Sequence, residues 1–495
     1  MDLNHFKYFD FLLFLPELFL ISVTILLLLW GLFITTSSTL FKQSINTTLL
    51  ILLAETNLLT LILLINNINK TKTIFCNSLI VNDYTTICKI IIVICTILFF
   101  IMVYNYMTSL NTDKFEFPIL INFSIFAMLV LISSYDLITF YLSIEMQSLC
   151  LYILAAFKKT SRFSTEAGIK YFVLGALSSS LLLFGMSLIY GFSGSTNLAD
   201  ITMYLIGNSN HNVVVPLTLN LGFLFLLIGF LFKITAVPFH VWSPDVYEGA
   251  PLIVTVFFAT IPKLAIFSVF VRFIFSIFFE LHIVWQPLLF STATITMLFA
   301  SFATLYQKKI KRFLAYSSIS NVGYMLLSIS TGTLNGLHSF FLYILVYTFT
   351  MFALFSLILS LKKKNKQNLI YLTDLLFLKN IPPLSKILFV TLLFSMAGIP
   401  PFLGFFSKFY VFFSAVEATY YFPLLIGIIS STTSAFYYTR LIKLINFEKI
   451  LSTANNIQLK TSNITITTIV SLLLLFFIFS PNFLILKTYQ LALLV

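Results

Sequence analysis

Two lysines stand where lysines are costly. Lys233 interrupts the apolar run Leu226–Phe232, and Lys263 follows Pro262 inside a second apolar run. An ammonium at bilayer depth costs a few kcal/mol, so such residues are usually paired and functional. Pro238 follows Lys233 by five residues and has no N–H to donate, so the helix should break beside the lysine. Broken helices persist in membranes where protein or water covers the freed backbone, which is where transporters place ions. The same arrangement returns at Lys408, eight residues after the Pro400–Pro401 pair. Glu145 supplies a carboxylate in the middle of another apolar segment. Burial disfavours the ammonium form of a lysine and a nearby carboxylate favours it, so moving or neutralising Glu145 would help Lys233 release a proton. This chemistry is proton transfer, and it requires no redox centre. Lys170 and His338, near the starts of their helices, are further relay candidates, since an imidazole titrates near neutrality.

Long apolar helices must hold these groups. Of 495 residues 59% are hydrophobic and only 9% charged, which defines an all-α, polytopic membrane protein. With about 20 apolar residues per crossing, we read about 14 spans. They include span 7 at 217–239, span 8 at 251–274, span 12 at 384–413 with a break, and span 14 at 464–486. The whole chain, 1–495, reads as one membrane domain. It comprises three N-terminal spans (1–110), spans 4–8 (117–274), spans 9–13 (284–445) and the last span.

The net charge of +12 could suggest nucleic acid, but its distribution assigns it to membrane orientation. Odd-numbered loops hold about twenty of the 29 Lys and Arg, among them Lys158, Lys309, Arg312, Lys362 and Lys443. The opposite side holds about six: Lys7, Lys70, Lys72, Lys89, Arg272 and Lys487. The positive-inside rule then places both termini outside. Cys76, Cys88, Cys95 and Cys150 lack paired metal spacing, and neither a phosphate-binding loop nor a dinucleotide glycine pattern is present. No metal or cofactor is expected on this chain.

Weak internal symmetry runs through the spans. Gly168-Ile-Lys170-Tyr-Phe172 corresponds to Gly336-Leu-His338-Ser-Phe340, and Ala236-Val-Pro238-Phe to Gly398-Ile-Pro400-Pro-Phe402. Spans 4–8 and 9–13 thus read as two repeats of five, the second inverted because five is odd, with broken helices at spans 7 and 12.

Four stretches carry a family resemblance. They are Asp136-Leu-Ile-Thr-Phe-Tyr-Leu-Ser-Ile-Glu145-Met-Gln, Thr165-Glu-Ala-Gly-Ile-Lys170-Tyr-Phe, Phe232-Lys233-Ile-Thr-Ala-Val-Pro238-Phe-His-Val-Trp242-Ser-Pro-Asp-Val-Tyr-Glu248-Gly-Ala-Pro251, and Ala397-Gly-Ile-Pro400-Pro401-Phe-Leu-Gly-Phe-Phe-Ser-Lys408. The chain resembles the antiporter-like subunits of respiratory complex I, the NADH:ubiquinone oxidoreductase, and among them the subunit 2 (N) type. The subunit 4 type carries a glutamate where Lys408 stands. The subunit 5 type continues into a lateral helix, whereas this chain stops soon after span 14.

The resemblance implies a proton-translocating subunit of an H⁺-translocating NADH:ubiquinone reductase. Glu145 would modulate Lys233, Lys263 would be the central relay, and Lys408 the exit-side lysine. NADH, FMN, iron–sulfur clusters and ubiquinone would be held by other subunits. Implied partners are other membrane-arm subunits, including the subunit 4 and small K-type (4L) neighbours, with lipids and protons. The implied location is the mitochondrial inner membrane, with termini on the intermembrane-space side. A multi-subunit cation/proton antiporter is the alternative. Asp136, Asp245 and Glu248 read as residues that fix helix ends, and the Lys362–Lys366 run as a solvated face.

Overall fold

The structure is a computed structural model that describes residues 10–37, 42–110, 114–210, 217–363, 369–380, 382–448, 457–459, 468–469 and 481–495. Most of span 14, Lys7 and residues 364–368 lie outside the described residues. The described chain is mostly helical. Its helices are α1 (Leu15–Ser37), α2 (Lys42–Ile65), α3 (Asp83–Leu110), α4 (Glu116–Ser133), α5 (Leu137–Ala155), α6 (Arg162–Ser193), α7 (Leu198–Asn210), α8 (Leu217–Lys233), α9 (Trp242–Gly249), α10 (Leu252–Arg272), α11 (His282–Leu305), α12 (Ile310–Ser330), α13 (Leu334–Ser360), α14 (Pro383–Ala397), α15 (Leu403–Glu417), α16 (Tyr421–Asn446) and α17 (Pro481–Leu493).

Among the described residues nine helices are long and apolar enough to cross a membrane. The reading of about 14 spans also includes interrupted and polar segments, and span 14, most of which lies outside the described residues. α8 and α14 are apolar but short, since each stops at a break. α12 is long enough, yet it carries Lys311, Arg312, Asn321 and a row of serines.

Helix ends follow local chemistry. Asp136 caps α5 by accepting from the Ile138 N–H at 2.8 Å, and Thr333 caps α13 by accepting from the Gly336 N–H at 3.1 Å. Gly194 ends α6 in the left-handed conformation that glycine adopts freely. The caps matter because a bilayer offers no water to unpaired backbone groups.

The chain divides into two compact units. The first comprises Met1–Lys233, Ile261–Leu281 and Val495; the second comprises Ile234–Thr260 and His282–Leu494. In the first unit, α6 packs on α8 where Gly185 meets Gly222. A Cβ on Gly185 would lie 2.6 Å from the Gly222 carbonyl oxygen, so a close helix crossing needs glycine there. A short antiparallel hairpin, β1 (Lys72–Ile74) with β2 (Leu79–Val81), joins α2 to α3. In the second unit, α11 and α12 pack at Gly323, whose added Cβ would meet Met297. There α13 is almost wholly enclosed, against α12, α14, α15 and α17. A second strand pair, β3 (Leu361–Lys363) with β4 (Ile457–Leu459), is antiparallel with Leu361 opposite Leu459.

Candidate functional site

In the first unit α8 stops at Lys233, its last helical residue. Lys233 is 8% exposed and its Nζ has no hydrogen-bond partner among the described residues. The ring of Tyr152 lies beneath it, with Nζ 5.9 Å from the ring centre. Tyr152 is held by its edge-on contact with Tyr171 and by Gly175, where a Cβ would fall 2.0 Å from the tyrosine hydroxyl. Glu145 stands on α5, two helical turns before Tyr152. Its Oε1 is buried without a hydrogen bond, and its Oε2 lies 3.4 Å from the Ser148 hydroxyl.

The chain beyond Lys233 is irregular until α9 begins at Trp242, so the interruption expected at Pro238 is present. Thr235 holds a left-handed backbone (φ 68°). A β-branched residue takes that conformation at a cost of about 1–3 kcal/mol, the kind of strain that collects at functional sites. His240 is buried beside Phe299, with its Nδ1 unbonded among the described residues.

Lys263 lies within α10, directly after Pro262, and is 3% exposed. Pro262 removes the hydrogen bond to the Phe258 carbonyl. The next carbonyl, Ala259, accepts from the Tyr347 hydroxyl at 3.0 Å.

In the second unit, the break between α14 and α15 is built around Lys408. α14 ends at Ala397, Gly398 follows at φ 80°, and α15 starts at Leu403. The last carbonyls of α14 have no helical N–H to receive. Lys408 donates to two of them, Ala397 at 2.8 Å and Met396 at 3.4 Å, and to the Ser434 hydroxyl at 3.1 Å. It also sits 5.5 Å over the Tyr324 ring. The negative end of a half-helix thus faces an ammonium, a favourable electrostatic arrangement. A cavity beside it is lined by Asn321, Tyr343, Tyr347, Ser395, Ser407 and Lys408. It has room for one water. Tyr343 donates to Asn321 at 2.9 Å across it.

His338 is buried between the edges of Tyr410 and Tyr489, with Nε2 unbonded among the described residues. Lys170 is different. It is half-exposed on α6 and pairs with Glu166 one turn away at 2.7 Å.

Sequence reasoning missed several interior groups. Lys89 and Arg272 entered the topology count as charges on one membrane face, yet both are buried and paired. Lys89 meets Glu17 at 2.5 Å, with both side chains at most 3% exposed. Arg272 donates to the Ile132 carbonyl at 2.7 Å and to that of Ser134. Their partners lie far away in sequence, and no local spacing announces them. Asp245 and Glu248 are ion-pair partners: Arg312 pairs with both, and Lys309 pairs with Glu248.

Fold and site together define a polytopic helical membrane protein that keeps lysines at interrupted helices. Residues 134–434 match the family described as NADH:quinone oxidoreductase/Mrp antiporter, TM. The chain is 38% identical to NADH-ubiquinone oxidoreductase chain 2 of Marchantia polymorpha, over 98% of both chains. It is 40% identical to NADH-quinone oxidoreductase subunit N of Pelagibacter ubique, over 95% of this chain and 97% of that one. The chain therefore belongs to the NADH:quinone oxidoreductase/Mrp antiporter transmembrane family, in its chain 2 (subunit N) branch. Among solved structures, a chain of respiratory complex I from Thermus thermophilus matches with TM-score 0.77 at 25% identity, covering 95% of this chain and 98% of that one. A chain of the Mrp complex from Dietzia sp. matches with TM-score 0.78 at 16% identity, covering 98% and 96%, a likeness of fold alone.

Proposed function

We propose that this chain is a proton-translocating membrane-arm subunit of respiratory complex I. The supporting observation is near end-to-end similarity to chain 2 and subunit N relatives, joined to buried lysines at helix interruptions. In this reading Glu145 and Lys233 form the switch, Lys263 the central relay and Lys408 the exit-side site. His338 is a further relay. Lys170, paired on an accessible face, fits proton collection at the membrane surface better than an interior step.

Redox energy arrives from other subunits, which hold NADH, FMN, iron–sulfur clusters and ubiquinone. It displaces or neutralises Glu145, Lys233 loses its electrostatic support, and its proton passes on through ordered water. Lifting one proton against the membrane potential takes about 2.3 kcal/mol per 100 mV. Breaking an electrostatic partnership between buried groups is of that magnitude. We infer two inverted five-helix repeats within about 14 spans, and a single membrane domain. We further infer termini on the intermembrane-space side of the mitochondrial inner membrane, and subunit 4 and K-type (4L) neighbours. The antiporter alternative rests on the shared family description and on a likeness of fold.

Purification of the chain from its native membrane tests the assembly. Flavin and iron–sulfur absorbance together with NADH:ubiquinone activity are expected in the same particle. A particle with neither would favour the antiporter reading.

A further inference from the structure

Several charged residues of the described spans turn inward. Glu17, Lys89, Lys233, Lys263 and Arg272 are buried, and Glu145 is part-buried. Glu55 on α2 is exposed, and its carboxylate enters no ion pair among the described residues. It stands near the middle of the apolar span Thr47–Ile65. Ile51, Leu52, Leu58, Leu59 and Ile62 surround it on the same outward face, all exposed. At 1.5 Å per residue the nearer end of that span is about 12 Å away, beyond the reach of a glutamate side chain. An ionised carboxylate at that depth costs a few kcal/mol against hydrocarbon, and a paired basic group offsets that cost.

We propose that this face of α2 is an interface with a neighbouring membrane subunit, whose transmembrane helix brings a basic side chain to Glu55 at mid-membrane. Charge complementarity selects that occupant. A purely apolar helix would leave the carboxylate unpaired, and a lipid tail would do the same. The flanking Ile and Leu side chains supply the packing contact and exclude water from the pair. The first unit already shows the same pairing within the chain, where Glu17 meets Lys89 between α1 and α3.

The proposal rests on the chain being part of a larger membrane complex, which co-migration with NADH-oxidising activity on a native gel checks separately. The direct test treats native membranes with dicyclohexylcarbodiimide, which modifies protonated carboxyl groups in apolar surroundings, and maps adducts by mass spectrometry. Glu55 should be unmodified, or amide-linked to a lysine of another subunit, in the intact complex. It should become labelled once detergent strips the neighbours away. An acylurea on Glu55 in the intact complex would place it against lipid and overturn the proposal. So would absence of labelling in both states, which would put its shield inside this chain. As a second reading, Glu55→Lys should lower incorporation of the chain into the complex by about tenfold or more, and Glu55→Gln should also lower it, though by less, because it leaves the neighbour's charge unpaired without adding a like charge. Equal incorporation of both variants would also contradict the interface.

Discussion

The Nζ of Lys408 lies 2.8 Å from the carbonyl oxygen of Ala397, the final residue of α14. The broken helix therefore creates the acceptor that its own downstream lysine uses. Gly398 makes the approach feasible. Its φ of 80° turns the chain out of the helix, and a Cβ there would lie 2.8 Å from the Lys408 Cδ.

Gly398→Ala should displace Lys408 and strain the turn at once. We expect a loss of about 1–2 kcal/mol of stability from the left-handed backbone alone. Proton pumping per NADH should fall further than the amount of assembled complex does. Quantitative immunodetection of the complex, set beside pumping in the same vesicles, separates the two effects. Pumping that tracks assembly one-to-one would show that the Lys408 position is unimportant.

The Glu17–Lys89 pair gives a different pattern. Removing one partner leaves a buried charge alone, at a cost of about 3–5 kcal/mol. Glu17→Leu or Lys89→Met should therefore each lower thermal stability sharply. The double variant should recover most of it, because two apolar side chains can replace a buried pair at little cost. A double variant as unstable as the worse single one would rule out a mutual interaction.

Glu248 holds Lys309 and Arg312 together at a half-exposed site. Such pairs contribute about 0.2–1 kcal/mol each and weaken in salt. Glu248→Gln should cost about 1 kcal/mol at low ionic strength and less at high. Melting curves at two salt concentrations check this, and a penalty independent of salt would point to packing instead.

Tyr343 donates to Asn321, and both line the cavity beside Lys408. Tyr343→Phe leaves the Asn321 oxygen without that donor, a loss of about 1–3 kcal/mol. Thermal unfolding of the complex measures it. Tyr343→Phe with Asn321→Leu should be milder than Tyr343→Phe alone.

Much of this was legible in the sequence, for a physical reason. Lysines in apolar runs and prolines beside them are local signals, so Lys233, Lys263, Lys408 and both breaks could be placed from spacing. Helix edges at Asp136, Thr333 and Gly194 are likewise set by neighbouring residues. What resisted reading was long-range. The Glu17–Lys89 pair, the carbonyl clamp of Arg272 and the partners of Glu248 join residues 60 or more positions apart. Charge counting assigned Lys89 and Arg272 only to one side of the membrane, because it had no information about what packs around them. Exposure is equally silent in sequence: Glu55 and Glu145 both interrupt apolar helices, and only the fold separates the outward from the part-buried one.

The most direct test is the number of protons moved per NADH oxidised by the intact complex in sealed vesicles, comparing wild type with Lys233→Ala and Glu145→Ala. The account predicts that both variants assemble and oxidise NADH while translocating fewer protons for each electron pair. An undiminished ratio in both variants would contradict it, and would leave the buried amine and acid as parts of the scaffold.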